Sequence, residues 1–516
     1  MRWASVKILR APGPAGAHDR GESPGKGPAM KRKRTRTRRC LLHVVVFVLS
    51  PLSGCALGPE YTRPDVAVPP QYRFAPAPTN DPPPVHVSAW WSSFGDRRLD
   101  ALVEEAVLAN RDLGIATARV EEFAARTAAV RAEARPMLGY AAAAGRQRTP
   151  GGSPGDTYAG LLSARWELDL WGRLRRGREA AQAELMATEQ ARRGVALTLA
   201  SAVVTGYITL LDLDRRLEIA RSTLAGRGQS VAVFQLRLDG GAVSELEMLQ
   251  VTAEYESAAA AIPELEQALA MQEHAVSVLV GRNPGPIDRS GTLALLQVPV
   301  VPPGLPSALL SRRPDILQSE QQLVAANARV GVARALYFPT LALTGDAGTA
   351  SGDLDALFSG PARTWSFVGQ LLGPIFAGGA IDAANRQADA RHQQALLAYE
   401  GAIQNAFADV DDALAAIQAN TTLVASLERR VSALRRAVGL AVERYDNGYA
   451  DYLEVLDTER GLFAAELALS SAQGNRYRAV VALYQALGGD WREAPFTAPT
   501  ASSAGRPERT VDPGRP

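Results

Sequence analysis

Two long stretches of the chain, Arg178 to Ile262 and Ile375 to Glu493, contain no proline, and apolar residues recur along both at steps of three and four. In the first they fall at Leu210, Leu213, Leu217, Ala220, Leu224, Val231, Phe234 and Leu238; in the second at Leu427, Val431, Leu434, Val438, Ala441 and Tyr445. That spacing is a heptad seam and predicts long helices packed on one another. A helix from Arg178 to Leu238 would be about 90 Å long, far more than a globular core needs. The two seams are in phase under a shift of 207 residues, which aligns Leu224 with Val431, Val231 with Val438 and Leu238 with Tyr445.

The same shift aligns a turn motif. Arg237-Leu-Asp-Gly-Gly-Ala-Val-Ser-Glu-Leu-Glu-Met-Leu249 matches Arg444-Tyr-Asp-Asn-Gly-Tyr-Ala-Asp-Tyr-Leu-Glu-Val-Leu456. Helix, tight turn and helix, all duplicated, predict two long hairpins whose tips carry function. Pro263 should kink the return helix of the first. Helical periodicity also begins after Trp90-Trp91 and runs to about Arg135, with a counterpart from Ser311 to Ala335. Gly194 to Leu211 holds no charged residue, so a membrane-spanning helix must be weighed. Its Thr198, Ser201, Thr205 and Thr209, and the helical pattern continuing on both sides, read instead as a buried section of a long helix.

Period-two segments precede each hairpin. Tyr158, Leu162, Trp166, Leu168 and Leu170 alternate with Thr157, Leu161, Ser163, Arg165, Glu167 and Asp169; Trp365, Phe367 and Leu371 alternate with Thr364, Ser366 and Gln370. Partner strands are expected near Leu138–Arg146 and Thr340–Thr349, joined by loops such as Pro150–Asp156. One apolar face fits a half-buried soluble sheet or a lipid-facing barrel strand. The pattern alone favours the commoner soluble sheet; an export signal shifts the weight to the barrel.

That signal lies upstream. Met30-Lys-Arg-Lys-Arg-Thr-Arg-Thr-Arg-Arg39 is basic, Cys40–Leu49 is apolar but too short to span a bilayer, and Leu52-Ser-Gly-Cys55 follows. The last four residues resemble a bacterial lipobox, in which the cysteine is acylated, so Cys55 is the expected lipidation site. Residues 1–29 read as an over-called start, 30–54 as the signal and 55–88, dense in proline, as an extended arm. The first repeat would occupy 89–300, the second 301–491, and a disordered tail 492–516.

Charge and chemistry then narrow the function. Residues 1–54 carry 12 basic and 2 acidic residues; the rest carries 44 basic and 52 acidic, a net of −8, and has no lysine. A mildly acidic mature chain argues against nucleic acid as a partner. Cys40 leaves with the signal, so no disulfide is expected. The histidines (His18, His43, His86, His274, His392) are scattered, and no zinc spacing, nucleophile elbow or phosphate loop occurs. An enzyme, a cofactor and a bound metal are therefore not expected. Met137, Met186, Met248 and Met271 do not cluster, which disfavours a metal relay.

Several motifs resemble one family. Leu310-Ser-Arg-Arg-Pro-Asp-Ile-Leu317, continuing to Ala333-Arg-Ala-Leu-Tyr-Phe-Pro-Thr-Leu341, resembles the hallmark of TolC-like outer-membrane efflux factors. Cys55-Ala-Leu-Gly-Pro-Glu-Tyr-Thr-Arg-Pro64, Trp90-Trp91-Ser-Ser-Phe94 and Ala486-Leu-Gly-Gly-Asp-Trp491 match its NodT-type lipoprotein branch. The resemblance implies a mixed α/β membrane protein. A homotrimer would build a twelve-stranded transmembrane β-barrel, four strands from each protomer, continuous with a periplasmic α-helical tunnel. Independently, four strands cannot close a barrel alone. The resemblance also implies a passive exit duct in the outer membrane, fed by an inner-membrane transporter of the resistance-nodulation-division (RND) type through a periplasmic adaptor. Ala56, not Asp, follows the lipidated cysteine, which by analogy implies sorting to the outer membrane.

By the same resemblance the gate falls on Leu453 and Asp457, with Tyr445 and Arg460 nearby. Three leucines would form a dewetting constriction and three aspartates a cation-attracting ring. The bland reading is hairpin packing for Leu453 and a solvated helix charge for Asp457. Adaptor docking would use the tips: Arg237, Asp239 and Gly241 on the first, Arg444, Asp446 and Gly448 on the second. Asp446 stands where relatives often carry a basic residue and Ala450 where a polar one is common, so a salt-bridge lock at those positions is in doubt. The rival readings are a duct for type I secretion or metal export, and a lipid-anchored periplasmic coiled-coil scaffold. The scaffold would leave the two amphipathic strand pairs unexplained.

Overall fold

The computed structural model describes residues 56–75, 89–148, 150–299, 301, 304 and 306–489. The expected signal, Cys55, residues 76–88 of the arm and the tail from 490 lie outside the described residues. A short 3₁₀ turn, Trp90–Phe94, leads into α1 (Arg97–Ala109) and α2 (Arg111–Glu133). Strands β1 (Met137–Gln147) and β2 (Gly155–Leu168) follow, then α3 (Arg173–Asp239) and α4 (Glu245–Leu279). The second half repeats the order with α5 (Pro314–Ala335), β3 (Thr340–Ser351), β4 (Arg363–Leu372), α6 (Ala380–Asp446) and α7 (Tyr452–Ala486).

The duplicated helices are equal in length: α3 and α6 each have 67 residues, α4 and α7 each 35. Both tips turn the same way. Gly241 and Gly448 take φ of 72° and 74°, a left-handed conformation that costs a side-chain-bearing residue energy. Around them Ala242 N donates to Arg237 O at 2.7 Å and Tyr449 N to Arg444 O at 2.8 Å, which closes each helix with its last carbonyls satisfied. The return helices start differently: Ser244 and Glu247 form a reciprocal capping box on α4, while Asp451 caps α7 without a side-chain bond. Pro263 sits inside α4, and the helix runs on through it.

One expected helix is two. The run from Trp90 to about Arg135 breaks at Asn110, whose side chain accepts from Leu113 N and donates to Leu279 O at 2.9 Å. The asparagine thus caps α2 and ties it to the end of α4. The apolar period persists across the break, so periodicity alone could not show it.

The main core gathers where α1, the middle of α3, the end of α4 and the end of α7 converge. Trp90, Phe94, Leu99, Val103, Tyr207, Ile208, Val276, Tyr477 and Val480 are buried there together. Gly194–Leu211 supplies much of it: Ala200, Val203, Val204, Tyr207 and Ile208 have no exposed surface. The uncharged run is therefore core, and its length is met by protein rather than lipid. At its edge Tyr207 and Ser290 donate to Asp96, at 2.7 and 2.6 Å. Burial alone would raise the pKa of that carboxyl, but these bonds and the Arg98 and Leu99 amides hold it below the usual range.

Residues 56–75 form an extended arm along the body. Leu57 N donates to Trp171 O, Asn327 to Pro59 O, and Arg63 reaches Tyr399, Leu310 O and Glu320. Tyr72 is buried beside α6.

The sheet has the order β1-β2-β3-β4, antiparallel throughout, with β1 and β4 as open edges in the single chain. Its register puts Tyr140 opposite Leu162, Trp166 opposite Leu343 and Ala347 opposite Trp365, so the apolar residues share one face. That face is bare, with Tyr140 87% and Trp365 80% exposed. The other face carries Ser163, Asp346 and Ser366 in one row, with Ser366 donating to Asp346. β2 stops at Leu168, short of Leu170, because the chain turns into α3 through Gly172 at φ 78°. A half-buried soluble sheet would have its apolar face covered; among the described residues no helix lies across it. The arrangement is that of lipid-facing barrel strands.

Candidate gate and docking tips

The two tips pack side by side, because α7 lies against both α6 and α3. Phe234 of α3, Tyr445 of α6 and Tyr452 of α7 make an aromatic cluster with ring centroids 4.2 to 6.2 Å apart. Val251, Ala441, Val455 and Leu456 complete a small core of their own. Arg237 covers it: its guanidinium sits over the Phe234 and Tyr445 rings, donates to the Tyr445 hydroxyl at 3.0 Å and approaches Asp446 at 3.9 Å. Asp239 accepts from Gln235, one turn back, and Arg444 pairs with Glu454 at 3.3 Å.

The expected gate residues divide into two groups. Leu453 and Asp457, four apart on α7, share an exposed face. Leu453 is 54% exposed, and Asp457 has neither hydrogen bond nor ion pair among the described residues. Tyr445 and Arg460 turn the other way and join the hairpins. Tyr445 receives Arg237, while Arg460 Nε binds Glu254 Oε1 at 2.6 Å.

Glu254 opens a part of the site that the sequence reading missed. Its second oxygen faces Arg227 at 3.2 Å, and Arg227 also donates to the Glu254 carbonyl. Both side chains are nearly covered, 5% and 11% exposed. The Arg227 guanidinium lies over Phe463, and Glu459 stands beside it. Burial pushes the Glu459 carboxyl up, Arg227 pulls it down, and Glu254 adds to the rise; the sum is upward. A signal did exist. Under the 207-residue shift Arg227 aligns with Leu434 and Glu254 with Gly461, so a charged pair replaces an apolar one inside the repeat.

Residues 102–282 and 305–489 match the family described as outer membrane efflux protein. The chain belongs to that family. It is 35% identical over 450 residues to the cation efflux system protein CusC of Escherichia coli O6:H1, covering 86% of this chain and 97% of that protein. It is 34% identical to the probable outer membrane lipoprotein SilC of Salmonella typhimurium, with 86% and 97% covered. Among solved structures it is similar to the outer-membrane channel OprN, at a TM-score of 0.80 and 32% identity over 85% of this chain and all of that one. As an outer membrane efflux protein, the chain is a channel of the outer membrane. Its bare apolar sheet is the membrane part, and its helices form the periplasmic tunnel. Such a channel is the exit of a tripartite pump, with an adaptor and an inner-membrane transporter as partners.

Proposed function

We propose that three copies of the chain form one duct, closed at rest by the α6–α7 tips and opened when an adaptor docks on them. Each protomer adds its four strands to a twelve-stranded barrel, β4 of one copy pairing with β1 of the next. Acylated Cys55 anchors the arm in the outer membrane, and the inner-membrane transporter is of the RND type. The observation that carries the gate is the free face of α7. Leu453 and Asp457 are exposed and unpartnered, while Tyr445 and Arg460 on the other side are bound to the first hairpin. Around a three-fold axis this face gives a ring of leucines that sheds water and a ring of carboxylates that attracts cations. Arg237–Tyr445 and Arg227–Glu254–Arg460 hold the hairpins together and keep the constriction narrow. Arg237, Asp239, Gly241, Arg444, Asp446 and Gly448 are the surface offered to the adaptor.

The test has two arms. Dye and drug accumulation is followed in a deletion strain complemented with the wild type or Cys55→Ser. Higher accumulation in the deletion, reversed by the wild type, supports a drug duct; no change points to secreted proteins or metals as cargo. Loss of complementation by Cys55→Ser makes lipidation necessary. Single-channel recording of Leu453→Ala and Asp457→Ala then reads the gate: both should leak when closed, and unchanged conductance in both removes them from it.

A further inference from the structure

Below the strands, α2, α3 and α5 enclose a groove of about 520 Å³, lined among others by Arg119, Arg126, Glu184, Gln322 and Arg329. Glu184 serves two arginines. Arg126 Nη1 stands 3.5 Å from one oxygen and Arg329 pairs with the other. The Glu184 side chain is 14% exposed, those of Arg126 and Arg329 55% and 48%. Arg119 makes no ion pair among the described residues, and Glu122 is the groove's second carboxylate. Arg391, from α6, lies outside the lining but close enough to Arg329 to act on its charge. Burial, then Arg126 and Arg391, lower the pKa of Arg329, so positive charge is crowded there.

The direction of the groove follows from the arm. On α5 the arm meets Glu320, Asn327 and Gly331; a Cβ on Gly331 would lie 2.5 Å from the Leu57 carbonyl. Gln318, Gln322 and Arg329 are each two residues from one of these, about 200° around the helix, on the opposite side. An arm that begins at a lipid anchor runs outside the tunnel. The groove therefore faces the tunnel's interior, a step that rests on the duct reading above.

We propose that this groove is a resting site for amphipathic organic anions of drug size, carboxylates or sulfonates, on their way to the barrel. Arginine pairs with such groups through two parallel hydrogen bonds and stays charged at any working pH. The half-exposed side chains of Arg126 and Arg329 leave room for a ligand to reach their donors. The Phe123 ring, with the Arg126 guanidinium over it at 5.6 Å, offers an apolar wall. The volume is in the range of small-molecule sites. Three copies would set a basic station above the acidic Asp457 ring.

The full-length protein is reconstituted in planar bilayers, and current block by an anilinonaphthalene sulfonate, added on the barrel side, is compared with block by ethidium. The sulfonate should block the Arg126→Gln/Arg329→Gln variant only at roughly ten-fold higher concentration, the loss of one or two charge-assisted bonds. Glu184→Gln, which removes the neutralising carboxylate, should be blocked at lower concentration than wild type. Ethidium block should not weaken in the arginine variant. Equal sulfonate block across all three proteins overturns the proposal. Should the double variant fail to assemble, Arg119→Gln replaces it, with a smaller shift in the same direction. Should the closed tips leave too little current in every protein, Leu453→Ala is added to each, and no conductance even then would remove the duct reading instead. Fluorescence titration of the same dye in detergent then still reads the groove, and equal affinities there overturn it.

Discussion

The two hairpins have the same helix lengths and the same glycine turn, yet they bury different things at equivalent places. The second packs Leu434 against Gly461, where a Cβ would meet the leucine at 3.3 Å. The first has Arg227 and Glu254 at those positions, paired and nearly covered. Arg460, from the second hairpin, then reaches across to the glutamate. An apolar contact serves one hairpin alone. A charged pair leaves a carboxylate oxygen free to recruit a neighbour, so the substitution turns internal packing into a link between hairpins. Buried ion pairs often add little net stability, and registration of neighbouring elements is one of their attested uses.

Breaking that asymmetry should give the largest effect. Arg227→Leu alone leaves Glu254 in a covered position with only Arg460 to answer it. We expect a loss of roughly 3 kcal/mol, the low end for a stranded buried partner because Arg460 still faces the glutamate. Arg227→Leu with Glu254→Gly copies the second hairpin and should recover most of it. Thermal unfolding followed by the helical signal checks both. A double variant as unstable as the single one would show that the pair is more than a replaceable contact.

The gate sharpens the comparison next. Leu246 is the counterpart of Leu453 under the repeat shift, and it is exposed as well. The counterpart of Asp457, however, is Gln250. If only the second tip closes the duct, Leu453→Ala should raise closed-state conductance several-fold through loss of a dewetting ring, while Leu246→Ala leaves it unchanged. Equal leakage from both would mean that the two tips share the constriction. A smaller change is expected from Tyr445→Phe. It removes only the hydroxyl that accepts from Arg237, worth about 1 kcal/mol, and keeps the ring stack. More frequent brief openings in single-channel records are the readout.

The duplicated helices and turns were legible because a heptad seam and a glycine at a helix end each have a direct physical meaning. The strands were legible as strands, but alternation does not say what solvent the apolar face meets. That took the register, which gathers Tyr140, Leu162 and Trp365 on one uncovered side. Reading the seams by their apolar members passed over Arg227, Glu254 and Glu459, since a charge inside a seam looks like a surface position until its neighbours are known. The arm read only as extended; its run across Trp171, Asn327 and Glu320 depends on contacts hundreds of residues apart.

The smallest expected effect concerns Glu459, whose counterpart under the repeat shift is Thr252, so the first hairpin has no acidic equivalent. Burial raises the folded-state pKa of Glu459 above the ordinary carboxylate value of about 4.3. The folded protein therefore holds this proton more tightly than the unfolded chain does. Through this group, stability is greatest below the unfolded value and falls as pH rises through the window up to the raised folded value. Ionisation there also sets a second carboxylate beside Glu254, where the two compete for Arg227. Glu459→Gln keeps the shape and removes the titration. The variant should lose this part of the pH dependence and match the wild type most closely at the acidic end of the window. Thermal midpoints measured across that window check it. A wild type and a variant with parallel profiles would mean that Glu459 titrates as an ordinary surface carboxylate, and that the link between the hairpins is insensitive to protons.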